Sequence, residues 1–208
     1  MIELTRKDTA LIVIDMQNAY FSDEGSLAKV GFDINGCRSA VPGAKRLLAG
    51  ARAAGLPVIF TAHVYKSDYS DGGFIVHEIL PGLKAARSSI DTQWESELAP
   101  EFQPRAGEKV FKKNRFSAFY HPEFEPYLRA TGIKSVVICG VTTNICVEST
   151  ARDAAQRDFR TFVVSDATGE LEPARYAAAL QALNGRFARI MTVDEVLQSW
   201  QVALDRVA

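Results

Sequence analysis

Asp15, Lys113 and Cys146 are the residues of this chain whose types and settings suit covalent chemistry. Each sits at or just past the end of an apolar run. Asp15 follows Ala10-Leu11-Ile12-Val13-Ile14, and Lys113 follows Lys109-Val110-Phe111-Lys112. Cys146 follows Ser135-Val136-Val137-Ile138-Cys139-Gly140 and the turn Val141-Thr142-Thr143-Asn144. A carboxylate, an ammonium and a thiol brought together supply a proton acceptor, a fixed cation and a nucleophile. A helix beginning near Cys146 would favour the thiolate through its free N–H groups and dipole. N–H groups of the same turn could hold an oxyanion. The chemistry this suits is hydrolysis of a small amide or related carbonyl compound.

The three groups are far apart in sequence, so the elements carrying them must converge. The run at 10–14 has no polar interruption, as expected of a strand covered on both faces. Further strands are expected at 57–62, 109–112, 135–140, 161–166 and 189–192. Helices are expected at 41–54, 122–130, 144–157, 173–184 and 193–203. Pro42 suits a first helical turn and Gly55 a helix end. Thr143 or Asn144 is the expected N-cap of the helix after the fourth strand. Strands alternating with helices imply one α/β domain over residues 1–208, with a doubly wound, mainly parallel six-stranded sheet and helices on both faces. In such sheets ligands bind outside the carboxyl ends of the strands. Residues 65–107 are the least regular part, with at most a short helix near Trp94–Leu98; a loop this long is usually functional or conceals elements.

Composition narrows the partners. The chain has 208 residues, 47% of them hydrophobic, and a formal net charge of -1. No basic stripe stands out, so nucleic acid is not expected as a partner. No apolar run approaches the ~20 residues of a membrane span. The first residues lack the apolar segment of a signal peptide. Three cysteines without a CxxC pattern argue against a disulfide framework and for a cytoplasmic setting.

Other residues are candidates for substrate contact. Gln17 and Asn18 follow the carboxylate and could donate to a carbonyl or to their own turn. Phe21, Phe116, Phe119 and Trp94 could wall a flat pocket. Arg87 could meet a substrate carboxylate. His63 could border the crevice after the second strand, whereas His77 and His121 are expected to be structural. Cys139 reads as a core residue and nothing near Cys37 would activate it. The three histidines do not fall at a short metal-ligand spacing, and no metal or other cofactor is expected.

Three motifs carry a resemblance that covers nearly the whole chain. Ile14-Asp15-Met16-Gln17-Asn18, Lys113-Asn114-Arg115-Phe116-Ser117-Ala118-Phe119 and Gly140-Val141-Thr142-Thr143-Asn144-Ile145-Cys146-Val147-Glu148-Ser149-Thr150 resemble those of the isochorismatase-like cysteine hydrolases. The resemblance implies an Asp15–Lys113–Cys146 triad, a cis peptide between Val141 and Thr142, and an oxyanion hole from the N–H groups of Thr142 and Cys146. It also implies a homo-oligomer. The segments around Asp15, Leu27–Asp33 and Val147–Asp153 look closest to the ureidoacrylate and biuret hydrolase branch, whose substrates are small ureido or carbamoyl amides. Nicotinamidases are less similar: their metal-binding Asp would fall at Thr61, and His63 offers one imidazole. The alternatives are isochorismatase-type vinyl ether cleavage, which needs no thiol, and a nicotinamidase-like amidase.

Overall fold

The computed structural model describes residues 3–201. Six strands form one parallel sheet in the order β3-β2-β1-β4-β5-β6. They are β1 Thr9–Ile14, β2 Val58–His63, β3 Lys109–Lys113, β4 Ser135–Val141, β5 Arg160–Gly169 and β6 Arg189–Met191. The order reverses direction at β1, so the crevice beside it is the switch point of a doubly wound fold. The α-helices are α1 Ser26–Lys29, α2 Asn35–Arg38, α3 Val41–Ala53, α4 Pro81–Ala85, α5 Phe124–Ala130, α6 Glu148–Gln156, α7 Pro173–Leu183 and α8 Val193–Ser199. None is long and apolar enough to cross a membrane.

Strand alternation divides the core in two. Leu11, Val13, Phe60, Val137, Cys139 and Phe162 point to one face, where Leu47 and Leu48 of α3 and Val196 and Leu197 of α8 cover them. Ala10, Ile12, Ile14, Ile138 and Val163 point to the other, under Phe124 and Leu128 of α5, Ala151 and Ala154 of α6 and Leu183 of α7. Every residue of β1 and β4 is buried, which is why these strands read as unbroken apolar runs.

The register sets the functional edge. Ile14 lies beside Gly140, His63 beside Lys113, and Val141 beside Gly169. The residues that follow these positions therefore emerge on one level at the carboxyl end of the sheet. Gly140 is required for that closeness. Its φ is +119°, and a Cβ there would stand 2.0 Å from the carbonyl oxygen of Ile14.

Several boundaries differ from expectation. β5 runs on to Gly169, past a register shift between Ile138 and Gly140 in its partner β4. The expected helix at 144–157 is a π-turn over Thr143–Val147 followed by α6. Neither Thr143 nor Asn144 caps it; Thr142 takes the cap position without a side-chain bond, and the Thr143 hydroxyl donates to Gly169 O at 2.9 Å. Helix α8 ends at Ser199, Trp200 and Gln201 form a turn in place of the expected helix, and the remainder of the expected helix to Ala203 lies outside the described residues. The region 65–107 contains α4, a π-turn at Ile75–Ile79 and two 3₁₀ turns, one of them Trp94–Ser96 where a short helix was expected.

Candidate active site

β1, β3 and the turn after β4 bring Asp15, Lys113 and Cys146 together. Lys113 Nζ donates to Asp15 Oδ2 at 2.7 Å and to Cys146 Sγ at 3.4 Å. The side chains of Asp15 and Lys113 are 0% and 1% exposed. Asp15 adopts a left-handed φ of +49° just after its strand. A non-glycine residue there is strained by about 1 kcal/mol or more, least so for Asp and Asn. The surroundings hold it: its N–H donates to Thr61 O at 3.2 Å, and the Thr61 hydroxyl donates to Oδ1 at 2.6 Å. Thr61 was noted in sequence only for the carboxylate it lacks. Its position on the neighbouring strand was the signal that it orients Asp15. The Val141–Thr142 peptide bond is cis.

Electrostatics at the thiol run against the expected thiolate. Burial pushes the Cys146 thiol well above its ordinary range; Asp15 adds to this, while Lys113 opposes it. Burial alone would lower the Lys113 ammonium, but Asp15 and Cys146 together more than offset that and keep it cationic. The geometry is that of a buried ion pair, and burial favours the neutral form of the thiol beside it. The dipole argument loses because α6 begins only at Glu148, two residues after Cys146. A helix terminus is worth about 0.3–1 kcal/mol at most surface sites, less than the several kcal/mol at stake in fully desolvating a charge.

Asp15, His63 and Cys146 offer possible metal-ligand atoms within 4.8 Å of one another. Lys113 places a positive charge against two of those three, which disfavours a cation there. Imidazole and phenol share a 2.9 Å hydrogen bond between His63 Nε2 and the Tyr65 hydroxyl, while Nδ1 is buried without a partner. Burial, then the nearby Lys113, depresses His63 to about 3, so the ring is neutral near pH 7. It stacks on Phe116 at 5.9 Å.

Above the thiol lies a cavity of about 210 Å³ lined by His63, Phe116, Thr142, Cys146, Glu170 and Arg175, among others. Thus His63, Phe116, Thr142 and Cys146 from the sequence candidates face it. Asp15, Lys113 and the other candidates are not among its lining residues; Lys113 lines a separate cavity of about 330 Å³ with Asn114 and His121. Gln17 spends its amide on the backbone, donating to His63 O and Ser96 O and accepting from His63 N, and so straps β1 to β2. Asn18 Nδ2 donates to Trp94 O at 2.8 Å. Phe21 packs on the core beside Phe102. Arg87 is exposed outside the lining. Phe119 packs edge-on against Phe124, and Trp94 is largely in solvent.

Glu170 and Arg175 were missed in sequence. Glu170 follows β5 and accepts from the N–H of Asn144 and of Leu171, each at 2.8 Å, anchoring the turn that carries Cys146. Its burial raises the carboxyl above the usual range.

Comparison with known proteins agrees with this architecture. A family model described as the isochorismatase domain matches residues 9–195. The chain belongs to that family. The ureidoacrylate amidohydrolase RutB of Variovorax paradoxus is 34% identical over 220 residues, covering 97% of this chain and 85% of the relative. RutB of Serratia proteamaculans is 34% identical over 224 residues, covering 100% and 88%. A cysteine hydrolase from Pseudomonas syringae pv. phaseolicola superposes with a TM-score of 0.87 at 24% identity, covering 97% of this chain and 96% of its own. An N-carbamoylsarcosine amidase from Thermoplasma acidophilum gives 0.73 at 29% identity, covering 89% and 96%.

Proposed function

We propose that this protein is a cysteine amidohydrolase that cleaves a C–N bond of a small ureido or carbamoyl compound. The observation that carries the reading is a single ammonium, that of Lys113, bonded to both the Asp15 carboxylate and the Cys146 sulfur, with Cys146 itself lining a cavity. The named activities of the RutB relatives and of the carbamoylsarcosine amidase support the substrate class.

Asp15 takes the thiol proton as Sγ attacks the carbonyl carbon. The cluster's total charge does not change: negative charge moves from Asp15 to sulfur while Lys113 stays within reach of both. The carbonyl oxygen becomes an oxyanion and accepts from the N–H groups of Thr142 and Cys146. The C–N bond breaks, the nitrogen leaves with the proton from Asp15, and a thioester remains. Water then attacks the thioester carbon. Asp15 takes its proton and returns it to the departing sulfur. We place the enzyme in the cytoplasm, where its free cysteines stay reduced, and expect a homo-oligomer, which sedimentation equilibrium tests.

An ammonia-release screen over ureidoacrylate, biuret, N-carbamoyl amino acids and simple amides tests the reaction. Turnover is expected for at least one ureido compound, and Cys146→Ala is expected to abolish it without lowering the melting temperature. Turnover that survives Cys146→Ala, or pyruvate from isochorismate with no ammonia from any amide, would refute the proposal.

A further inference from the structure

The cavity above Cys146 does not end at the reacting groups. It shares Leu27, Phe32, Leu80, Leu83 and Ser88 with a second cavity of about 240 Å³ that reaches Val30. The shared wall is hydrocarbon apart from one hydroxyl. Phe32, Leu80 and Val30 are 45%, 41% and 55% exposed, a high value for three large apolar side chains on one opening. The wall comes from two segments. Leu27 belongs to α1, which the side chain of Glu95 ties down by accepting from Ser26 N at 2.8 Å and, with its other oxygen, from Ser89 N at 2.9 Å. Leu83 belongs to α4, which buries none of its own residues. Leu83, its one large apolar side chain, is half-buried and lines both cavities.

The charges at this opening point the same way. Among the described residues that line the two cavities, Arg175 is the one cation, and its Nε already pairs with Glu172 at 3.0 Å. Glu170 and Glu172 also line the inner cavity. A substrate carboxylate placed there would meet two acidic groups and one engaged guanidinium. The ureidoacrylate named for the RutB relatives carries such a carboxylate.

We propose that this passage is a substrate subsite for an uncharged hydrocarbon group, so that the enzyme's preferred substrate is a urea or carbamoyl amide bearing a short apolar chain on its far nitrogen. The inference rests on the proposed cleavage only for the identity of the head group. The five lining residues that the passage shares with the cavity over Cys146 are what assign it to substrate.

Binding to Cys146→Ala tests it without needing turnover. Two ligands of nearly equal shape differ in charge: 3-methylbutylurea and 3-ureidopropionate. Calorimetry is expected to show the apolar urea binding at least tenfold tighter. Lengthening an alkylurea from ethyl to pentyl is expected to tighten binding by up to about fourfold per methylene, the value of a fully buried CH₂. Adding Leu83→Lys, or Phe32→Lys should the first variant fold poorly, is expected to weaken the apolar urea and strengthen the anion, reversing the order. Tighter binding of 3-ureidopropionate, or an order unmoved by both lysine variants, would overturn the subsite. So would light scattering in which either lysine variant splits an oligomer while ligand preference stays the same, since the wall would then be a subunit contact. Apolar preference in binding with no hydrolysis of any urea by the native enzyme would leave the subsite standing and refute the proposed reaction instead.

Discussion

Replacing Lys113 by Met separates what the ammonium does for stability from what it does for chemistry. The change is close to isosteric and leaves Asp15 fully buried with one donor, the Thr61 hydroxyl, in place of two. Breaking a buried pair by removing one partner costs about 3–5 kcal/mol, because the other charge is left uncompensated. For a chain of this size each kcal/mol lowers Tm by about 2–4 °C, so the drop should be about 6–20 °C. Removing both charges is a different perturbation. Asp15→Asn with Lys113→Met leaves a neutral amide that still accepts from Thr61, and should lie within about 1–2 kcal/mol of the native protein, since a neutral replacement of a buried pair is often harmless. Both variants should be inactive. The assay is urea unfolding at pH 7.5 for the native protein, the two single variants and the double variant, with ammonia release measured on each. A loss under about 1 kcal/mol for Lys113→Met, or a double variant no more stable than Lys113→Met, would refute the argument that the carboxylate depends on this ammonium.

Two further predictions follow from the same edge of the sheet. His63 titrates near 6.5 when unfolded and about 3 in the fold; below pH 6.5 the unfolded chain takes a proton that the native ring refuses, so stability is full above that pH and falls as pH drops toward 3. Urea unfolding should show about 2 kcal/mol lost from this group between pH 7.5 and 5, and His63→Leu should remove that part of the slope. Gly140→Ala forces a Cβ within 2.0 Å of a backbone oxygen at positive φ, so it should cost at least about 3 kcal/mol by thermal unfolding. A near-native Tm would show that β1 and β4 do not need their close approach.

The strands were readable because a parallel sheet buried on both faces leaves a mark in every residue: β1 and β4 contain nothing exposed. The ends of β1 and β4 were readable for the same reason, since Asp15 and the turn before Cys146 are where their apolar runs break, whereas Lys113 ends the partly exposed edge strand β3. The far wall of the site was not readable. Residues 65–107 are held by a small apolar cluster of Tyr65, Tyr69, Val76 and Ile90 and by scattered polar contacts such as Gln17 on Ser96 O, Glu95 on Ser26 and Ser89, and Tyr69 on Ser88 O. Such contacts have no period and no local composition. Gln17 shows the difficulty well. An amide directly after a catalytic-looking carboxylate invites a substrate role, and only the coordinates show its three bonds closing on the backbone. Arg87 failed for a related reason: position in an irregular loop says nothing about which way the loop turns, and the guanidinium at the cavity is that of Arg175, on α7.

The neutral thiol changes how the cluster must work. A preformed thiolate would be stabilised by Lys113 alone and would leave Asp15 as a bystander that raises the cost of ionisation. Burial and Asp15 both push the Cys146 thiol up, so ionisation has to wait for a place to put the proton. In the proposed mechanism Asp15 is that place, and its left-handed backbone and bond from Thr61 hold it ready. Because the ammonium touches donor and acceptor alike, proton transfer moves a charge of fixed size a short way around a fixed cation, with little reorganisation of the surroundings. In the proposed mechanism the sulfur stays a neutral thiol until its proton passes to Asp15, and a thiol is oxidised less readily than a thiolate.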